Sequence, residues 1–517
     1  MASTSSIEKL PQVGVAFEEP ANPTKESGLD DAYVFLRDNA TLDANEVDLK
    51  RLRRKIDRHL LPLCFCIRFM QGLDGHLLNY AIVMGLPEDL NLKGQQLNNI
   101  ASSIHWVHIA AAIFVGVYLN KFALGKSLGG SMLIWGVLVT CTAAVSKYQQ
   151  MLAIRLLMGV FDCLFTPTLM LITSQFYRKD EQALRFQLWF CSIGFAQVCG
   201  AFISYGFQSV NTTGLYSWQI MYLVLGLSTI VVSCWVIACL PDSAVKAKFL
   251  NRAEKVALLR HISSNATGVS SHRIKPKQMV AVLVDPQIWL LMLAVLLTGF
   301  GGGIMSNYGS TLMRSFGYSR KQSTLLNAPG GGINIVGCLF AAWVVHKRYL
   351  QRWSMIALSY AVAFMGACLI AFPPHRNQAA HLAGIFLFAF STSTVGIKLQ
   401  WIAANVAGHT KRPIAMTLLS AGYTAGTIAG PYAVQKKDAP DYYLAKHSIV
   451  ASKAGCLGLV CMLALYYLLA NRHRDRVHGK PKVEELDDYR AFDEACMSEV
   501  WANLTDKERK KTFRYVY

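Results

Sequence analysis

The stretch RLLMGVFDCLFTP, Arg155 to Pro167, holds two opposite charges seven residues apart inside a long apolar run. A second such run, HLLPLCFCIRFMQGLDGHLLNYA, holds Arg68, Asp74 and His76. A carboxyl group in apolar surroundings can carry a proton, because lost hydration disfavours its charged form. A guanidinium there can hold an anionic solute group or pair with a carboxylate. Seven residues is nearly two helical turns, so Arg155 and Asp162 share a face, about 10 Å apart along the axis. Two readings follow: a structural pair between helices, or a proton-coupling site at Asp162 with Arg155 as its structural partner. Arg68 either contacts an anionic solute or pairs with a carboxylate such as Asp162. His76 is a proton carrier or a hydrogen-bonded structural histidine.

These charges need elements that keep them out of lipid. The chain has 517 residues, 53% hydrophobic and 16% charged, against about 25% charged in soluble proteins. Its mean hydropathy is +0.30. This is the composition of a membrane protein. The first fifty-odd residues are polar, so no cleavable signal is expected there. The net charge of +19 falls mostly in certain loops, with no aromatic platform in a polar context, so nucleic acid is not an expected partner. The 13 cysteines lie mostly in apolar runs without metal-like pairing; they read as buried thiols.

A bilayer core takes about 20 apolar residues per helix. Such runs lie near 60–83, 99–119, 127–145, 150–174, 184–207, 218–240, 288–308, 323–345, 353–371, 380–401, 414–434 and 448–470. At this length only helices satisfy their own backbone in lipid. The fold class expected is therefore an all-α membrane protein with twelve transmembrane helices in two six-helix halves. Basic residues in KRLRRKIDRH, YRKDEQALR, HKRYLQR, GHTKR and NRHRDR place both termini in the cytoplasm. Expected boundaries are a tail over 1–57, a half over 58–240, a cytoplasmic loop over 241–287, a half over 288–470 and a tail over 471–517. Asn211, in NTT, is the one glycosylation acceptor that this topology places outside.

Other motifs leave alternatives. GFGGGIMSNYGS around Asn307 is either a bending gate or close packing. Gly422, Gly426 and Gly430 read as a small-residue packing face. Lys398 either snorkels to the interface or faces the cavity. GVYLNKFALGK, Gly116 to Lys126, is similar to the signature loop of the major facilitator superfamily, with Asn120 where an acid is usual.

The chain resembles the fungal allantoate permease family, in the anion:cation symporter branch of the major facilitators. The resemblance rests on QGLDGHLLNYA, MGLPEDLNLKGQQ, RLLMGVFDCLFTP, ITSQFYRKDEQALR, SNYGSTLMRSFGYS, WIAANVAGHTKR, GPYAVQKKDAPDYY and the closing FRYVY, and covers about residues 50–517. It implies the major facilitator fold and uptake of small organic anions (ureides, carboxylate vitamins or amino-acid-like compounds) with protons. It assigns the proton-linked carboxylate to Asp162, where the family more often has Glu, and a span-one site to Asp74. The chain departs from the family at Gly75–His76, where a basic or small hydroxyl residue is usual, and at Thr427, where Asn is usual. Arg68 stands where the family is apolar and can replace the missing charge.

The expected protein is a secondary active transporter in the plasma membrane, working by alternating access as a monomer. It uses protons and the lipid bilayer and needs no cofactor. Asn307, Tyr308, Gln400 and Trp401 join Arg68 and Asp74 as expected solute contacts. Rival readings are a proton-driven exporter of a fungal secondary metabolite and a non-transporting nutrient sensor. An enzyme is not expected: no phosphate loop, metal cluster or triad spacing stands out.

Overall fold

The computed structural model describes residues 35, 47–210, 214–263, 276–347, 349–374, 377–406, 411–479 and 515. Asn211 lies outside the described residues. The long helices are α1 (Leu49–Met84), α2 (Gln96–Lys121), α3 (Leu124–Cys141), α4 (Tyr148–Asp162, resuming as Phe165–Phe176), α5 (Lys179–Phe207) and α6 (Ser217–Cys239). The second set is α7 (Pro286–Ser315), α8 (Arg320–Leu325, resuming as Ala328–His346), α9 (Arg352–Ala371), α10 (Gln378–Ala389, a 3-10 turn at Phe390–Thr392, then Val395–Asn405), α11 (Lys411–Tyr432) and α12 (Tyr443–His478). Each expected apolar run falls on one of them. Among the described residues, nine helices are long and apolar enough to cross a membrane, leaving out α1, α2 and α11. Of these, α1 and α2 carry buried Asn79, Asn98 and Ser102, which bond across the bundle, so their polarity belongs to the interior.

Local sequence explains the breaks. Pro167 has no N–H and its ring crowds the carbonyl of Cys163, so α4 turns at Cys163–Leu164, directly after Asp162. In α10 the run FSTSTV does the same by another route. Ser391, Thr392 and Thr394 hydroxyls bond to the carbonyls of Phe388, Ala389 and Ser391, competing with helix continuation.

Glycines set helix spacing. A Cβ at Gly303 would stand 2.7 Å from the Thr427 carbonyl oxygen, and one at Gly430 2.5 Å from that of Phe300. The glycines of α7 and α11 thus interlock, and α7 runs unbroken through them. Gly159 on α4 lies so near Ile104 and Val107 that a Cβ would sit 2.6 Å from the Ile104 carbonyl oxygen. That contact fixes α2 against α4.

Both halves are braced at the end of the bundle nearest the termini. In the first, Arg185 at the start of α5 grips Asp57 on α1 through two bonds of 2.9 Å. In the second, Lys411 at the start of α11 bonds Asp285 before α7 at 2.6 Å. The first and fifth helices of each half are therefore tied by one device used twice.

The remote end latches the halves together. Asn79 of α1 donates to the Ser310 hydroxyl (3.1 Å) and accepts from the Ser310 amide (3.0 Å). Ser102 of α2 bonds the Ile428 carbonyl (3.1 Å), Tyr432 donates to Asn99 (2.8 Å), and Gln208 of α5 donates to Thr324 (2.7 Å). Asn79→Ala removes both bonds between Asn79 and Ser310, at about 0.5–1.5 kcal/mol each. We expect faster amide hydrogen exchange at the remote ends of α1 and α7; unchanged exchange would mean the latch does not hold that end.

Candidate functional site

Asp162 ends the first segment of α4, three residues beyond the Gly159 contact with α2. One turn along α2, His108 therefore meets it: Nε2 lies 2.7 Å from Asp162 Oδ2. On its other oxygen, Asp162 accepts a hydrogen bond from the Gln71 amide of α1. Gln71 in turn accepts from Arg68, one turn earlier on the same helix. The result is a chain Arg68–Gln71–Asp162–His108 across three helices. His105 stands edge-on to His108, with ring centroids 5.7 Å apart.

This chain borders open space. Nothing lies within 4 Å of where a Cβ at Gly75 would be, and Gly75 is exposed at mid-helix. Tyr423 of α11 is 45% exposed although it sits in the middle of its helix, and its hydroxyl interacts electrostatically with Arg68. Arg68 also faces the Phe190 ring at 5.7 Å, and its Nε has no hydrogen-bond partner. A part-buried guanidinium with a free N–H beside open space can receive an anionic group. A carboxylate held by one amide and one imidazole can exchange a proton with that imidazole.

The other expected site residues lie elsewhere. Arg155 is buried and interacts with Asp74, also buried, and with Tyr222. The partners of Asp162 are thus His108 and Gln71, while Arg155 belongs with Asp74. Asn307 donates to the Gly303 carbonyl of its own helix at 2.9 Å. Tyr308 donates to Asn98 of α2 and so joins the latch. Trp401 is buried edge-to-face on Tyr467, 5.6 Å between centroids. The side chain of Gln400 lies outside the described residues. His76 is half-buried. Lys398 does not reach the interface: its Nζ turns back up α10 to the Ser391 carbonyl at 2.9 Å.

Sequence reasoning passed over Gln71, His108, Tyr423 and Lys453. A signal existed for His108: His105 and His108 are three residues apart inside an apolar run, on adjacent positions of one helical face. Lys453 stands close enough to the start of its apolar run to pass for a snorkelling lysine.

A charge cluster also marks the end nearest the termini. Glu181 accepts from His261 (3.3 Å) and pairs with Arg53 (2.6 Å). Burial pushes the Glu181 carboxyl up. The His261 bond, the Arg53 charge and the Arg178 amide outweigh it and hold the group down at about 2. A depressed carboxylate stabilises the fold above its unfolded value of 4.5 and loses that contribution as pH falls towards 2. Glu181→Gln should therefore lower thermal stability at pH 7, and the deficit should shrink as pH falls below about 4.5. A deficit that persisted in full below about pH 3 would remove Glu181 from this role.

Two broken helices meeting buried charge, between halves latched at one end, define a polytopic membrane protein of the transporter class. The chain belongs to the Major Facilitator Superfamily, which it matches over residues 64–431. It is 28% identical to the thiamine pathway transporter THI73 of Saccharomyces cerevisiae over 95% of this chain and 92% of that protein. It is also 28% identical to the allantoate permease of the same yeast, over 94% and 90% respectively. A bacterial homologue of the human lysosomal transporter Spinster, solved inward-facing and unoccupied, shares the fold with a TM-score of 0.55, at 13% identity over 79% of this chain and 96% of that one. The protein is a membrane transporter of a small molecule and not an enzyme.

Proposed function

We propose that this protein is a proton-coupled symporter of a small organic anion in the plasma membrane, both termini cytoplasmic, of the allantoate permease kind. The observation that carries the reading is the Arg68–Gln71–Asp162–His108 chain beside open space. Arg68 receives the anionic group of the solute. A proton taken by Asp162 neutralises its carboxylate and frees Gln71 and Arg68 to reorganise. Solute and proton together then favour one facing state, and a few kcal/mol of difference suffices to shift the population. The names of the two yeast relatives point to carboxylate or vitamin-like solutes. Import is favoured over export because α5 has no proline and runs unbroken.

Growth tests the reading. A yeast strain lacking endogenous uptake, expressing this chain, is placed on single carboxylates and ureides as nitrogen or vitamin source. Growth on at least one, improved at acid pH and lost with a protonophore, is expected. Growth that persists after the gradient is collapsed removes proton coupling; growth on none removes the import of organic anions.

A further inference from the structure

The membrane acids are confined to the first half. No aspartate or glutamate occurs from residue 286 to 437, nor from 442 to 474. Yet in the second half two lysines meet inside the bundle, at the break in α10. Lys453 of α12 is 1% exposed, and its Nζ bonds the Ser391 hydroxyl at 3.2 Å. Lys398 of α10 is part-buried and bonds the Ser391 carbonyl at 2.9 Å. Both ammonium groups thus converge on one residue, at the break in α10.

Each ammonium has three donors, and each makes one hydrogen bond among the described residues. Their remaining contacts are ring faces. Lys398 Nζ lies 4.3 Å from the centre of Tyr360, and Lys453 Nζ 4.3 Å from Phe388 and 5.8 Å from Tyr360. The ion pairs among the described residues include neither lysine. Two like charges without a carboxylate in a bilayer are costly, and ring quadrupoles offset only part of that cost. An anion bridging both would remove the repulsion and fill the idle donors.

The place suits a solute. Gln187 of α5, from the other half, bonds the carbonyls of Ser393 and Cys338 at 3.3 and 3.4 Å. The break in α10 therefore lies at the interface between the halves. Phe388 and Tyr360 supply apolar walls, which fit a carboxylate on an organic body better than a hydrated inorganic ion.

We propose that Lys398 and Lys453 form an anion site that binds the carboxylate of a small organic solute in the second half of the transporter. It deepens the proposed function and rests on that reading for the solute's role in transport. Against it stands a purely structural use, in which both lysines only cap the carbonyl and hydroxyl groups at the broken helix.

Methyl acetyl phosphate, an anion that acetylates amines, separates the two. The full chain in lipid nanodiscs is treated with it, and in parallel with the uncharged N-hydroxysuccinimide acetate. Acetylation at Lys398 is read by mass spectrometry relative to exposed Lys147. A site of one charge sign concentrates anions about tenfold or more, so the anionic reagent should favour Lys398 by that factor over the neutral one. Lys453→Gln should abolish the preference and Lys453→Arg retain it. Equal ratios for both reagents in the unaltered protein would overturn the proposal. If the preference is found but no carboxylate is transported, the site stands and the symporter reading fails; transport without the preference gives the reverse.

Discussion

Asp162→Asn should reduce uptake from concentrative to merely equilibrating. Asparagine keeps the shape and can still meet Gln71 and His108, so the fold should survive. What it cannot do is change charge. An electroneutral symporter of one monoanion and one proton reaches about tenfold accumulation per pH unit, since one pH unit is 1.36 kcal/mol. In proteoliposomes with an acid exterior, the unaltered protein should approach that ratio and Asp162→Asn should stop at unity, while exchange of labelled for unlabelled solute continues. His108→Gln should lie between, because the carboxylate remains but loses its ion-pairing imidazole. Full accumulation by Asp162→Asn would dismiss the coupling role.

The second large effect lies at the base of the second half. Lys411 and Asp285 have no exposed side-chain surface and lie 2.6 Å apart, with the Gln287 amide also on Asp285 at 2.8 Å. Removing one member of a buried pair leaves a charge stranded and costs about 3–5 kcal/mol. Lys411→Met alone should strip the protein from the folded pool or lower its melting temperature sharply. Pairing it with Asp285→Asn should recover most of the loss, since replacing both charges is often close to neutral. The equivalent brace in the first half is wetter, with Asp57 28% exposed. Arg185→Met should therefore cost less, about 2 kcal/mol. Equal losses at both braces, or no recovery in the double variant, would contradict this ordering.

Much of this architecture can be read from the chain. Helix length and apolarity announce the bundle, and glycines at four-residue spacing announce the α7–α11 seam. A carboxylate between Gly159 and Pro167 announces a charged position beside a close contact and a helix break. The partners of that carboxylate are not announced. Helical periodicity places Arg155 and Asp162 on one face, but α4 turns directly after Asp162, and the rotation of α2 and α1 decides which side chains arrive. That rotation is fixed by packing at Gly159 on Ile104 and at Gly72 on Ala196, contacts distant in sequence. The Asn98 bond of Tyr308 is unannounced for the same reason: a phenol in a glycine-rich span suits a solute site as well as that bond. Lys453 hides because snorkelling and burial look alike until the neighbouring helix is known.

The latch at the remote end is built from amides, hydroxyls and phenols: Asn79, Ser310, Asn98, Tyr308, Asn99, Tyr432, Gln208 and Thr324. Among its described bonds only Lys321 to Ser209 involves a charged group. Mobile ions screen charges, and they have little hold on bonds between neutral groups. Changes in salinity or acidity of the medium bathing that face therefore leave the closing force nearly constant. Responsiveness to the environment is left to the charged interior and the opposite face, and the latch itself keeps a fixed stiffness.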